Sequence, residues 1–146
     1  MIIALDFIPT NLSWIYKMSK YKTGSIFKSL TYAYRGIALA LKSQRNFRFD
    51  FIFGIFIFIV AIFLRFSFIE LAVLVLTINA VLFAELMNTV IEFVIDAYYG
   101  NRYSIIAKMS KDIAAGAVLL TAIGSLFVGF MLFLPKIIKF YFILRH

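Results

Sequence analysis

The stretch Leu71-Ala-Val-Leu-Val-Leu-Thr-Ile-Asn-Ala-Val-Leu-Phe-Ala84, running on into Glu85-Leu-Met-Asn-Thr-Val-Ile-Glu-Phe-Val-Ile-Asp96, decides how this chain folds. Its first half is an apolar run without charge. Its second half keeps the apolar background but sets Glu85, Asn88, Glu92 and Asp96 at steps of three, four and four residues, which return to one side of an α-helix. Three carboxylates on one stripe repel one another and are costly near lipid. Such a stripe needs a cation, a proton or a partner, and marks either a site or a very costly piece of packing. The element beginning near Ser67 is longer than a bilayer requires, so its acidic half is expected at or beyond one headgroup layer.

Composition agrees with a membrane setting. Of 146 residues, 64% are hydrophobic and only 15% charged, with 18 Phe and a mean hydropathy of +0.98; a soluble domain runs nearer half apolar and a quarter charged. One integral membrane domain is expected. The absence of cysteine excludes disulfides and thiolate metal sites. The single histidine, His146, is the terminal residue and reads as a frayed end. The net charge of +8 flanks hydrophobic segments, which points to lipid headgroups and topology and away from nucleic acid.

Read along the chain, residues 1–19 form an N-terminal extension. Met18-Ser-Lys-Tyr-Lys resembles a natural start, so the first seventeen residues read as the product of an upstream start codon. Residues 20–48 predict a basic amphipathic interfacial helix, with Ile26, Leu30, Ile37 and Leu41 near one face and Lys28, Arg35 and Lys42 recurring every seven residues on another. Three spans are then expected over 50–66, 68–97 and 113–134. A polar loop over 98–112 separates the second from the third, and a tail follows over 135–146.

Residues 17–48 hold eight Lys and Arg and the 97–112 connection holds three, which puts both on the cytoplasmic side. Lys136, Lys139 and Arg145 then fall outside, against the rule. In the third span Ala117, Thr121, Ser125 and Gly129 are spaced by four, a small-residue stripe that lets another helix approach closely. Tyr98, Tyr99 and Tyr103 read as an interfacial aromatic belt.

The acidic stripe, the basic connection and the cationic helix converge on one interface. Carboxylates supply hard oxygen ligands for Mg²⁺, and Lys and Arg neutralise phosphate oxygens. That combination suits phosphoryl transfer at a membrane surface. The standard nucleotide motifs are missing, however, so on these residues alone kinase chemistry is one option among several.

The order of residues narrows this. Glu85-x-x-Asn88-Thr89-x-Ile91-Glu92-x-x-x-Asp96, followed by Ala107-Lys108-x-x-Lys111-Asp112-x-Ala114-Ala115-Gly116-Ala117-Val118, resembles the signature of the prokaryotic diacylglycerol kinase family, which includes undecaprenol kinases. Gly36 and the Asn46-Phe47-Arg48 patch match as well, and the resemblance covers about residues 20–134. It implies an all-α integral membrane protein of the prokaryotic cell (inner) membrane. Each subunit would have an interfacial helix and three transmembrane helices, in a homotrimer whose active sites lie between subunits at the cytoplasmic surface. It further implies transfer of the γ-phosphate of MgATP to the hydroxyl of a membrane lipid. By similarity Glu85 is the general base, Asn88 positions the hydroxyl, and Glu92 binds Mg²⁺. Lys111 and Asp112 contact the nucleotide, and Asp96 occupies a family acidic position.

Gln44 departs from the pattern. It stands where many members carry a glutamate that shares the metal with the position of Glu92; glutamine keeps a carbonyl oxygen but loses the charge. Asp50 is the candidate substitute. Two rivals therefore stand beside an active kinase: a cation- or proton-conducting oligomer lined by the acidic stripe, and a degenerate kinase serving as a regulatory subunit.

Overall fold

The structure, a computed structural model, describes residues 25–100 and 102–145. These form four helices: α1 (Ile26–Ser43), α2 (Arg45–Phe63), α3 (Phe68–Tyr99) and α4 (Ile105–Arg145). The extension expected over 1–19 lies outside the described residues. Among the described residues, those up to Ala38 belong to one compact unit and those from Leu39 onward to another. In the described part of the first unit, Ser25 O accepts the Lys28 N–H at 3.1 Å, and the Thr31 hydroxyl donates to Phe27 O at 2.9 Å.

Within the second unit the chain does not carry one helix through to residue 48. It breaks at Gln44, which takes an extended conformation (φ −106°, ψ 117°) and caps α2 without a side-chain hydrogen bond. Arg48 explains the break: its guanidinium reaches back to Leu41 O at 3.2 Å and Lys42 O at 2.9 Å. Two carbonyls that the end of α1 would leave bare thus find a donor.

The turn from α2 into α3 is tight. Arg65 adopts a left-handed φ of 55°, and Ser67 and Glu70 form a reciprocal cap. The Ser67 hydroxyl accepts from Glu70 N–H at 3.4 Å, while Glu70 Oε2 accepts from Ser67 N–H at 2.6 Å. At the other end of α3, Gly100 turns the chain with a φ of 56° and donates to Asp96 O at 2.9 Å. Ser104 then opens α4, its hydroxyl accepting from Ala107 N–H at 3.4 Å. The polar connection is accordingly shorter than the expected 98–112, and Lys108, Lys111 and Asp112 stand on the first turns of α4. The tail expected from 135 is also helical to Arg145, with Pro135 inside the helix; membrane helices tolerate such a proline.

α2 and α3 pack closely where Gly54 meets Ile78, since a Cβ on Gly54 would lie 2.8 Å from Ile78 Cγ2. Ala61, Phe66 and Leu74 form the buried core between them, closed from α4 by Leu132 and Phe133. The Phe66 and Phe133 rings are 4.8 Å apart. Most large apolar side chains point outward, among them Phe53, Phe56, Leu76, Phe83, Leu120 and Phe127. A small core under an apolar exterior inverts the soluble pattern. Three helices, α2, α3 and most of α4, are long and apolar enough to cross a membrane. The chain is an all-α membrane protein.

Candidate active site at the charged end of α3

Leu74, Ile78, Glu85 and Thr89 follow one another on α3 at steps of four, seven and four, and so share a stripe. Because Ile78 meets Gly54, that stripe faces α2. Glu85 is 7% exposed and Thr89 5%, which makes them the buried polar residues among those described. The charges of Asp50, from α2, and of Glu92 both act on Glu85. A carboxylate held away from water beside other carboxylates is suited to receive a proton.

One turn further, Asn88 and Glu92 are half-buried, and Asn88 Nδ2 donates to Glu92 Oε1 at 3.1 Å. Asn88 Oδ1 is buried with no partner. Asn88 also lines an open apolar groove of about 380 Å³ between α3 and α4, with Ala84, Met87, Ile91, Ala117 and Thr121 among its walls. Ala117 and Thr121, two members of the small-residue stripe, line that groove. Thr121 folds its hydroxyl onto Ala117 O at 2.8 Å, so that wall presents little polarity.

At the mouth, Asp96 and Lys111 form an ion pair with Nζ 2.5 Å from Oδ1, the two side chains 61% and 38% exposed respectively. The expected stripe is thus graded, from buried Glu85 through half-buried Asn88 and Glu92 to exposed Asp96, which Lys111 meets from α4. Asp112 is exposed on α4 and has no ion-pair partner among the described residues. Tyr98 and Tyr103 are exposed.

Among the described residues no three carboxylates or histidines converge to hold a metal. Glu92 and the unpartnered Asn88 Oδ1 offer hard oxygens on one face of α3, and the Gln44 side chain makes no cap bond. Hard oxygens of this kind suit Mg²⁺, which binds through one or two carboxylates and takes its remaining ligands from water and substrate phosphate. Two contributions escaped the sequence reading. Thr89 sits four residues from Glu85, a signal that was legible; the influence of Asp50 on Glu85 depends on how α2 crosses α3.

The sequence profile of the prokaryotic diacylglycerol kinase family matches residues 31–133. The chain belongs to that family. It is 41% identical over 115 residues to a diacylglycerol kinase of Synechocystis, covering 79% of this chain and 66% of that one. It is 36% identical over 111 residues to an undecaprenol kinase of Bacillus subtilis, covering 76% and 89%, and 32% identical over 106 residues to a diacylglycerol kinase of Helicobacter pylori, covering 73% and 80%. This chain therefore spans about two thirds of the Synechocystis relative's length and most of the other two. The matched region contains Gln44, the whole acidic stripe, Lys111 and Asp112.

Proposed function

We propose that this chain is an ATP-dependent lipid kinase that phosphorylates the hydroxyl of diacylglycerol or undecaprenol at the membrane surface. Membership in the prokaryotic diacylglycerol kinase family supports the reaction class. The single structural observation that carries the reading is the gradient from buried Glu85 to the exposed Asp96–Lys111 pair along one end of α3.

Helix length gives that gradient a depth. About 30 Å of hydrocarbon takes some twenty residues of helix, reaching from Glu70 to near Val90. Glu85 then lies just inside the apolar layer, within reach of a lipid hydroxyl, while Glu92, Asp96 and Lys111 stand among the headgroups, where ATP can arrive. The charge pattern favours the cytoplasmic side for this end.

Glu85 accepts the proton of the lipid hydroxyl as its oxygen bonds to the γ-phosphorus, and the bond to the β–γ bridging oxygen breaks to release ADP. Asn88 orients the hydroxyl from the wall of the apolar groove. Lys111 offsets charge on the transferring phosphoryl group, and Asp112 holds the nucleotide. Glu92, with Asn88 and Gln44 offering amide oxygens, would hold Mg²⁺, which when bound neutralises phosphate charge. Positioning and neutralisation account for most of the catalysis, because phosphoryl transfer asks little covalent chemistry of the protein. A homotrimer completes the donor set that one chain lacks. Gln44 favours a second reading, a kinase-like subunit that binds nucleotide weakly and turns nothing over.

MgATP-dependent phosphorylation in detergent micelles separates the two, with diacylglycerol and undecaprenol supplied separately and Glu85→Gln as the blank. Product with either lipid, lost in the blank, supports the kinase; a folded protein that yields none supports the second reading.

A further inference from the structure

The end of the bundle away from the acidic stripe carries positive charge that the kinase reading leaves unused. Glu70 is the acid at this end, and Lys136 already takes it at 2.7 Å. Lys136 Nζ also sits 5.3 Å from the centre of the Phe66 ring, so the α2–α3 turn and α4 meet there. Arg65, next to Phe66, is exposed. Lys139 stands one turn beyond Lys136 and Arg145 ends the helix. Neither Arg65 nor Lys139 has an acidic partner among the described residues. The family profile stops at residue 133, before Lys136, Lys139 and Arg145.

We propose that this end of the bundle is a binding surface for anionic phospholipid headgroups. The apolar surroundings suit such a partner. Phe68 is 92% exposed and Phe63 79%, aromatic rings on either side of Arg65 of the kind that sit where a bilayer passes from hydrocarbon to headgroup. The register suits it too. Lys139 lies three residues past Lys136, about 4.5 Å along α4, within a headgroup layer roughly 5–8 Å deep. Arg65 and Lys139 remain after Lys136 has neutralised Glu70, and each basic residue near an anionic surface adds attraction. This also accounts for positive charges on the side where the topology rule disfavours them: they are held by lipid phosphate.

The test uses the purified full-length protein in neutral detergent micelles, with melting temperature as readout. Phosphatidylglycerol, phosphatidylcholine and inorganic phosphate are added separately to wild type, to Lys139→Gln and to Arg65→Asn/Lys139→Gln. Asparagine tolerates the left-handed backbone at position 65. Phosphatidylglycerol is expected to raise the melting temperature more than phosphatidylcholine does. That difference should shrink in Lys139→Gln and fall by at least half in the double variant, with phosphatidylcholine midpoints and kinase turnover unchanged. Equal shifts with both lipids would overturn the proposal, as would a full effect from inorganic phosphate. A difference that survives the double variant would overturn it as well, placing anionic lipid elsewhere, on the basic α1.

Discussion

Glu70 Oε2 on the first turn of α3 lies 2.7 Å from Lys136 Nζ on α4, and the same oxygen accepts the Ser67 N–H at 2.6 Å. One carboxylate thus starts a helix and clamps the next one beside it. The Asp96–Lys111 pair does the matching work at the far end. Roughly 26 residues of α3 and 25 of α4 separate the two pairs, about 39 Å and 38 Å of helix. The two helices are held in register over nearly the thickness of a bilayer with its headgroups.

The two duties of Glu70 can be separated. Glu70→Gln keeps a residue that completes the cap but loses the charge facing Lys136; Glu70→Ala loses both. Melting temperature is expected to fall by a few degrees in Gln and further in Ala, with turnover per folded protein unchanged. Equal midpoints for the two variants would show that the cap contributes nothing.

Glu85→Gln preserves shape and removes the proton acceptor. Turnover is expected to fall by about 10²–10⁴-fold, the usual contribution of a general base, while size-exclusion behaviour and melting temperature hold. Measuring phosphorylated lipid alongside both checks distinguishes loss of the base from loss of the fold.

Under the proposed function, Gln44→Glu adds a second carboxylate to the Mg²⁺ site of Glu92. A carboxylate binds Mg²⁺ better than an amide does, so half-saturation should move to lower Mg²⁺, with a smaller change at saturating metal. A Mg²⁺ titration of initial rate decides it, and an unchanged midpoint would remove Gln44 from the metal site.

Asp96→Asn frees Lys111. The pair is exposed, so stability should change by less than about 1 kcal/mol. Lys111 nevertheless loses the contact that holds its long side chain over the site, and ordering such a chain costs entropy. The KM for ATP is therefore expected to rise several-fold with kcat altered less; Asp96→Glu should recover most of the loss.

Gly54→Ala sets a methyl group 2.8 Å from Ile78 Cγ2, and a β-branched side chain on a helix has little freedom to move aside. Overpacking of this kind costs about 1–3 kcal/mol. Ile78→Ala removes the obstructing group, so the double variant should lose less than the sum of the singles; strict additivity in denaturation midpoints would show that the contact is not felt.

Much was legible in the chain itself. The steps 85, 88, 92, 96 and the apolar runs determine helices, spans and a charged stripe, because helical periodicity and hydrophobicity are local properties. The order of the two polar motifs was enough to mark the family. What the sequence could not contain was which residues meet across helices: that Asp50 acts on Glu85, that Lys111 pairs with Asp96, and that Lys136, unexplained by topology, answers Glu70. Local caps were missed for a related reason. Arg48 folding back on Leu41 and Lys42 splits an apparently continuous helix at Gln44, and Ser104 starts α4 inside what reads as a polar loop. Pairings of this kind depend on how α2, α3 and α4 cross, and burial follows from the crossing. The sequence by itself determined the elements and their chemistry; the tertiary structure decided that Glu85 is shut away from water while Asp96 and Lys111 are left at its edge.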